Sequence, residues 1–331
     1  MKLKGVFRAL FAIIITSVLL LLIDLDNRKP DSGTFISIAI FKIASRPVLD
    51  DSETGVIQSL KDKGFDDKKN CSIRKFCAEG DMAVANMIAQ NILSSKFDMV
   101  ITISTPALQV MANANKKGQM QHVFCTVTDP YASGVGITGP KPDQHPQHLV
   151  GIGTFQPVEA TFELAKQMKP DLKKVGTVWC TSETCSEACV RLARKKCATL
   201  GIELVEVSVE NTSQIFEAAT SLTMRGIEAI WLGGDNVVEL GIDQLINACA
   251  RAKIPLFTNN PYKVTGNTLF ALGASYYDVG YLAGEMAASL LKGKPTNQIG
   301  VKDFVPQKLV INEEALKNMK DKWEIEKASV N

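Results

Sequence analysis

From residue 35 to about residue 320 the chain alternates short apolar runs with amphipathic stretches, and it does so twice over. In the first block, strands are expected over 35–41, 71–77, 98–103 and 123–127. Helical periodicity fills the gaps. It runs over 49–63 with Gly64 as its stop, and over 81–95 with Asp81 as its cap and Met82, Ala85, Ile88, Ala89 and Ile92 inward. A third helix opens near Pro106, in a first turn where a missing N–H does no harm. A Gly- and Pro-rich loop covers 134–147, and the pattern then restarts. Helices are expected over 159–168, 182–200, 214–224 and 238–253, between strands over 174–179, 203–207, 229–232 and 256–258. A strand over 269–274, a helix over 276–292, a strand over 308–312 and a polar helix complete the chain. Near-continuous apolar strands separated by helices need cover on both faces, which is the signature of parallel sheets. Two such blocks of about 120 residues predict two α/β lobes related by an old duplication.

The 331 residues are ample for two cores. A net charge of +2 gives no field for nucleic acid, and no run of five like charges marks an interaction tail. The first thirty residues differ from the rest. Lys2, Lys4 and Arg8 precede an uncharged run over 9–23, and Asp24 and Asp26 follow it. That order predicts an export signal, or a membrane anchor over residues 7–23, with residues 1–30 standing apart from the lobes. No cysteine for a lipid anchor precedes Cys71. An exported chain meets an oxidising compartment, so its eight cysteines could form one or two bridges or remain buried thiols. The cluster Cys180, Cys185, Cys189 and Cys197 matches no zinc spacing.

In open α/β sheets ligands bind at the carboxyl ends of strands. Six such edges carry polar groups here. Ser104-Thr105-Pro106 opens a helix, where free N–H groups and the helix dipole favour a carboxylate. Thr128-Asp129-Pro130 ends the strand beginning at Val123, and Asp235-Asn236 follows Gly233-Gly234. A carboxylate at Asp235 can pair with a ligand ammonium, with the Asn236 amide beside it. Thr181, Ser182 and Glu183 follow Trp179, and Asn259-Asn260-Pro261 ends another strand. Tyr276 starts a helix after Gly273, where an aromatic ring at a crevice rim can stack on a flat ligand. Plain helix caps and Asx-Pro turns explain several of the same residues. His145 and His148 lack further metal ligands nearby, and no motif assembles a nucleophile, base and oxyanion hole. Neither catalysis nor a cofactor is expected.

The strings 104–109 and 123–130, the pair Asp235-Asn236, and the segments 252–257, 273–277 and 291–293 occur in an order that resembles the ABC-transporter substrate-binding family, which includes the tryptophan/tyrosine-type binding proteins. The resemblance spans roughly residues 35–320. It implies a type I periplasmic-binding fold with a hinge of about three strands. It also implies closure on a small ligand that reaches the protein outside the cytoplasm, with an ABC permease as partner. Carried over by position, Ser104, Thr105 and Asp129 face the ligand from one lobe, and Thr181, Ser182, Asp235 and Asn259 from the other. Asn236 and Tyr276 join them from the residue-level reading. The expected division is 34–153 with 265–294 for the first lobe and 154–264 with 295–325 for the second. The expected solute is an amino acid, with the aromatic ones as the narrower option, bound by a monomer. The alternative is the same fold used as a ligand sensor for a membrane partner.

Overall fold

The computed structural model describes residues 35–304 and 307–325. The expected signal or anchor segment lies outside them. Strand β1 (Ile36–Lys42) starts the first sheet, and Ile38 through Phe41 are fully buried rather than alternately so. Helix α1 (Pro47–Asp62) follows, with Pro47 at its first position. Then come β2 (Cys71–Cys77), α2 (Met82–Ser94), β3 (Met99–Ile103), α3 (Thr105–Ala114), β4 (Gln121–Val127) and β5 (Leu149–Gly153). Asp81 caps α2 by accepting from the N–H groups of Ala83 and Val84.

The second sheet opens after α4 (Val158–Met168). Its chain order is β6 (Lys174–Cys180), α5 (Thr184–Leu200), β7 (Glu203–Val209), α6 (Ile215–Thr223), β8 (Ala229–Leu232), α7 (Asn236–Leu240), α8 (Ile242–Ala252), β9 (Leu256–Thr258) and β10 (Thr268–Ala274). Helix α9 (Tyr276–Leu291), β11 (Lys302–Asp303) and β12 (Gln307–Ile311) complete the described elements, before a final 3-10 turn at Glu313–Asn318. The first sheet runs β11-β5-β4-β3-β1-β2 and the second β12-β10-β9-β8-β6-β7. All pairings are parallel except β10 with β12. The matching orders bear out the duplicated α/β plan. An aromatic cluster fills the second lobe, where Phe162 lies 5.0 Å from Trp231 and 5.5 Å from Phe257, which stacks on Phe270.

The chain passes between the lobes three times: after β5, between β10 and α9, and between β11 and β12. The expected division is corrected at two of these points. Strand β10 pairs with β9 in the second sheet although 265–294 was expected in the first lobe, and β11 pairs with β5 although 295–325 was expected in the second. Each of those two expected segments carries one element of each lobe, a swap that hydropathy cannot register. Two other expectations change. Strand β5 falls in a stretch with no assigned element, because its five residues LVGIG directly follow the long loop. The helix expected over 238–253 is two helices that meet at Gly241. All eight cysteines are free thiols, and only Cys77 is not fully buried.

Candidate functional site

The carboxyl ends of the strands in both sheets converge on a small cavity of about 30 Å³. From the first lobe, Arg46 at the start of α1, Ser104 and Thr105 at the start of α3, and Thr126 and Thr128 at the end of β4 line it. From the second come Cys185, Gly234, Asp235, Asn236 and Glu239. Thr154 and Gln156, on the first crossing, and Tyr276, on the second, close the hinge side.

Two of the lining residues hold strained backbone. Ser104 has φ 103° and Thr126 has φ 56°, both unusual for residues with a Cβ. At Thr126 the cause is a bulge. Phe124 pairs with Gly151 and Val127 with Gly153, so β4 spends one residue more than β5 over that interval. The extra residue turns Thr126 toward Ser52, whose Oγ lies 2.6 Å from Thr126 Oγ1 and donates to either Val48 O or Tyr276 O, each at 3.1 Å. One buried serine thus ties together α1, the bulge and the start of α9.

The electrostatics are unbalanced toward acid. Arg46 is the one cation among the residues lining the cavity, and only 7% of its surface is exposed. It donates from Nη1 to Glu239 Oε2 at 2.6 Å and from Nη2 to Asn236 Oδ1. The Asn236 backbone N–H and Nδ2 both donate to Glu183 Oε2, at 2.7 and 3.1 Å. Asp235 completes a group of three carboxylates. Loss of solvent, and then repulsion from Asp235, push the Glu183 carboxyl up to about 7. Loss of solvent does the same for Glu239, also to about 7, against the pull of Arg46. Burial likewise raises the Cys185 thiol well above its ordinary value. Two buried polar atoms on the wall have no partner at all: Arg46 Nε and Thr154 Oγ1. An unpaired buried donor costs about 1–3 kcal/mol, so the cavity is an incomplete network.

Of the expected ligand residues, Ser104, Thr105, Asp235, Asn236 and Tyr276 line the cavity. Four do not. Asp129 turns back to accept from the N–H groups of Tyr131 and Ala132, an Asx turn at the rim. Thr181 and Ser182 are exposed, with Ser182 Oγ 3.1 Å from Cys180 Sγ. Asn259 is fully buried behind the wall, accepting from Trp231 Nε1 and donating to Thr161 Oγ1 and Leu272 O. Arg46, Thr154, Gln156, Cys185 and Glu239 were missed. Pro47 at a helix start marks Arg46 as the residue entering the fold, and Thr154 and Gln156 follow a strand end by the same rule that found Ser104. Glu239 carried no signal, since one carboxylate within a helix reads as solvated surface.

Bonds across the cleft show that the lobes are closed on one another. Besides the Arg46 contacts, Gln109 Nε2 donates to Thr184 Oγ1 at 3.1 Å. Both carboxyls sit at the cleft, so an opening that returns them to solvent is expected to bring them toward the ordinary carboxylate value of 4.5. The closed form therefore holds more protons than the open one between about pH 4.5 and about pH 7, and it is favoured at the acidic end of that window. Small-angle scattering of the ligand-free protein is expected to give a larger radius of gyration at about pH 8 than at about pH 5.5. An unchanged or smaller radius would contradict this.

A two-lobed body whose hinge-side cleft gathers hydroxyls, amides and charges is the architecture of closing solute-binding proteins. Within that class, the chain belongs to the ABC transporter substrate binding protein family, whose model matches residues 37–323. It is 30% identical over 292 residues to a tyrosine-binding protein of Clostridioides difficile strain R20291, covering 88% of this chain and 83% of that one. A conserved domain protein from Vibrio cholerae superposes with a TM-score of 0.81 at 27% identity, over 86% of this chain and 94% of its own. An ABC domain from Streptococcus pneumoniae in complex with L-Trp gives 0.80 at 24%, with the same coverage. The ligand-free, open structure of a substrate-binding protein with adhesive properties from Clostridium difficile gives only 0.64 at 27%, over 86% and 96%. The lower score against an open form, at similar identity, agrees with the closed arrangement seen here. The type I periplasmic-binding fold is thereby established.

Proposed function

We propose that this protein is the solute-binding component of an ABC importer and that its solute is an aromatic amino acid. The observation that carries the reading is the incomplete charged network in the closed cleft, with Arg46 Nε unpaired on one side and an excess of carboxylates on the other. A zwitterion answers both, since its carboxylate needs donors and its ammonium needs acceptors. Ser104 and Thr105, at the N-terminus of α3, add donors on the carboxylate side. Val48, Leu49 and Tyr276 supply apolar and aromatic surface for a side chain. The tyrosine-binding relative and the L-Trp complex support the aromatic class. Closure shifts a two-state equilibrium through ligand contacts on both lobes, and the closed form is what a permease on the outer face of the membrane would engage. The protein acts as a monomer outside the cytoplasm.

Calorimetry on protein stripped of bound solute by unfolding and refolding tests this. L-tyrosine, L-tryptophan or L-phenylalanine is expected to bind in the micromolar range or tighter, about −8 kcal/mol or better, while ribose and glucose give no heat. Binding of the sugars alone would overturn the reading.

A further inference from the structure

Arg46 and Glu239 come from opposite lobes, and both are almost wholly buried in a site that holds no other cation. Their ion pair is poorly finished. It is a single bond, Nη1 to Oε2, and the guanidinium fork that could grip a carboxylate with two parallel bonds leaves Nε facing nothing. Glu239 Oε2 also accepts from Asn260 Nδ2 at 3.2 Å, and Arg46 Nη2 is held by Asn236. The titratable groups around the pair are Glu183, Asp235, Cys185 and Tyr276, so nothing but Arg46 offsets the carboxylates once the cleft shuts. A buried pair with a single bond recovers its desolvation penalty with little to spare, whereas breaking it by removing one partner leaves a bare buried charge.

Resting on the amino acid reading above, we infer that Arg46 and Glu239 form the specificity pair of the cleft: they hold the ligand-free lobes together as mutual stand-ins, and they part so that Arg46 takes the ligand's carboxylate and Glu239 its ammonium. No covalent step is involved. The pair then accepts only ligands that bring both charges. A ligand with an ammonium alone leaves Arg46 without a partner, and one with a carboxylate alone leaves Glu239 so.

Three probes of one ring system separate the poles: L-tryptophan, tryptamine and indolepropionate. Wild-type protein is expected to bind tryptophan at least ~100-fold more tightly than either single-charge analogue. Arg46→Met is expected to abolish the preference for tryptophan over tryptamine, bringing the two within about tenfold, and Glu239→Gln to do the same for tryptophan over indolepropionate. A merely structural role weakens all three probes together and leaves the ratios intact, and that result would overturn the inference. Scattering of the ligand-free variants at about pH 8, where both carboxyls are ionised, gives a readout independent of any solute. Arg46→Met is expected to be more open than wild type, because closure then buries carboxylates with no counter-ion. If wild type binds none of the probes yet Arg46→Met opens, the amino acid reading falls and the closing role of the pair stands. If Arg46→Met is as compact as wild type, the pair does not hold the lobes.

Discussion

Replacing Gly280 by valine is expected to cost about 3 kcal/mol or more of stability, and to take ligand binding with it. A Cβ built on Gly280 would lie 2.0 Å from the carbonyl oxygen of Ser52, and one on Gly55 would lie 2.1 Å from that of Tyr277. One turn along, a Cβ on Gly284 would meet Val56 O at 2.7 Å. These contacts are backbone against backbone, so no rotamer change relieves them. Helices α1 and α9 touch through their glycines, and any side chain must drive them apart. Helix propensity pulls the other way, since alanine is favoured over glycine by about 1 kcal/mol in a helix interior. The sign of even Gly280→Ala is therefore informative: close packing predicts a loss, propensity alone a gain. Urea midpoints of the alanine and valine variants decide it, and an alanine variant as stable as wild type would refute the tight crossing. Binding falls too, because α1 begins at Arg46, α9 begins at Tyr276, and Ser52 between them positions Thr126. Splaying this pair of helices displaces three walls of the cavity.

The lobes were legible in the sequence because the hydrophobic effect writes them there. Strands covered on both faces, such as β3 with all five residues buried, must be continuously apolar, and their helices must be amphipathic. Strand ends were legible for the same reason: polarity resumes abruptly where burial stops, which brought Ser104, Asp235 and Tyr276 to the fore. Which of several polar groups at a strand end faces the cleft was not legible. Asp129 and Asn259 have the same composition and position as true wall residues, but local backbone donors claim the first and a buried indole claims the second. Arg46 and Glu239 belong to a different category. They are separated by 193 positions, and their meeting depends on the angle between the lobes, which no local pattern encodes. Thr126 needed a bulge in the ladder, and that in turn depends on the register of β4 against a strand hidden behind a loop.

Asp235→Ala is expected to lower stability by about 3 kcal/mol or more, a larger effect than the loss of one ligand contact. The sequence suggests a free carboxylate awaiting an ammonium, but in the structure it is the keystone of the second wall. Its Oδ2 accepts from the Cys180 backbone N–H and from Ser186 Oγ, both at 2.6 Å, and its Oδ1 accepts from the Val238 N–H at 2.8 Å, capping α7. Only 3% of Asp235 is exposed, so the alanine variant strands donors that water reaches poorly. A graded series separates the roles. Ser186→Ala removes one donor together with its bond, at about 1 kcal/mol. Asp235→Asn keeps an oxygen for the α7 cap but turns an amide toward the Cys180 N–H, which cannot reverse as a hydroxyl can, and falls between the other two. If Asp235 shapes the wall, affinity for the solute declines through the series in step with stability, and Ser186→Ala already weakens it. If instead Asp235 is the ammonium's own partner, Asp235→Asn destroys binding while Ser186→Ala leaves it untouched. Paired urea denaturation and calorimetry on the three variants tell these apart, and the three internal donors already on this carboxylate favour the first outcome.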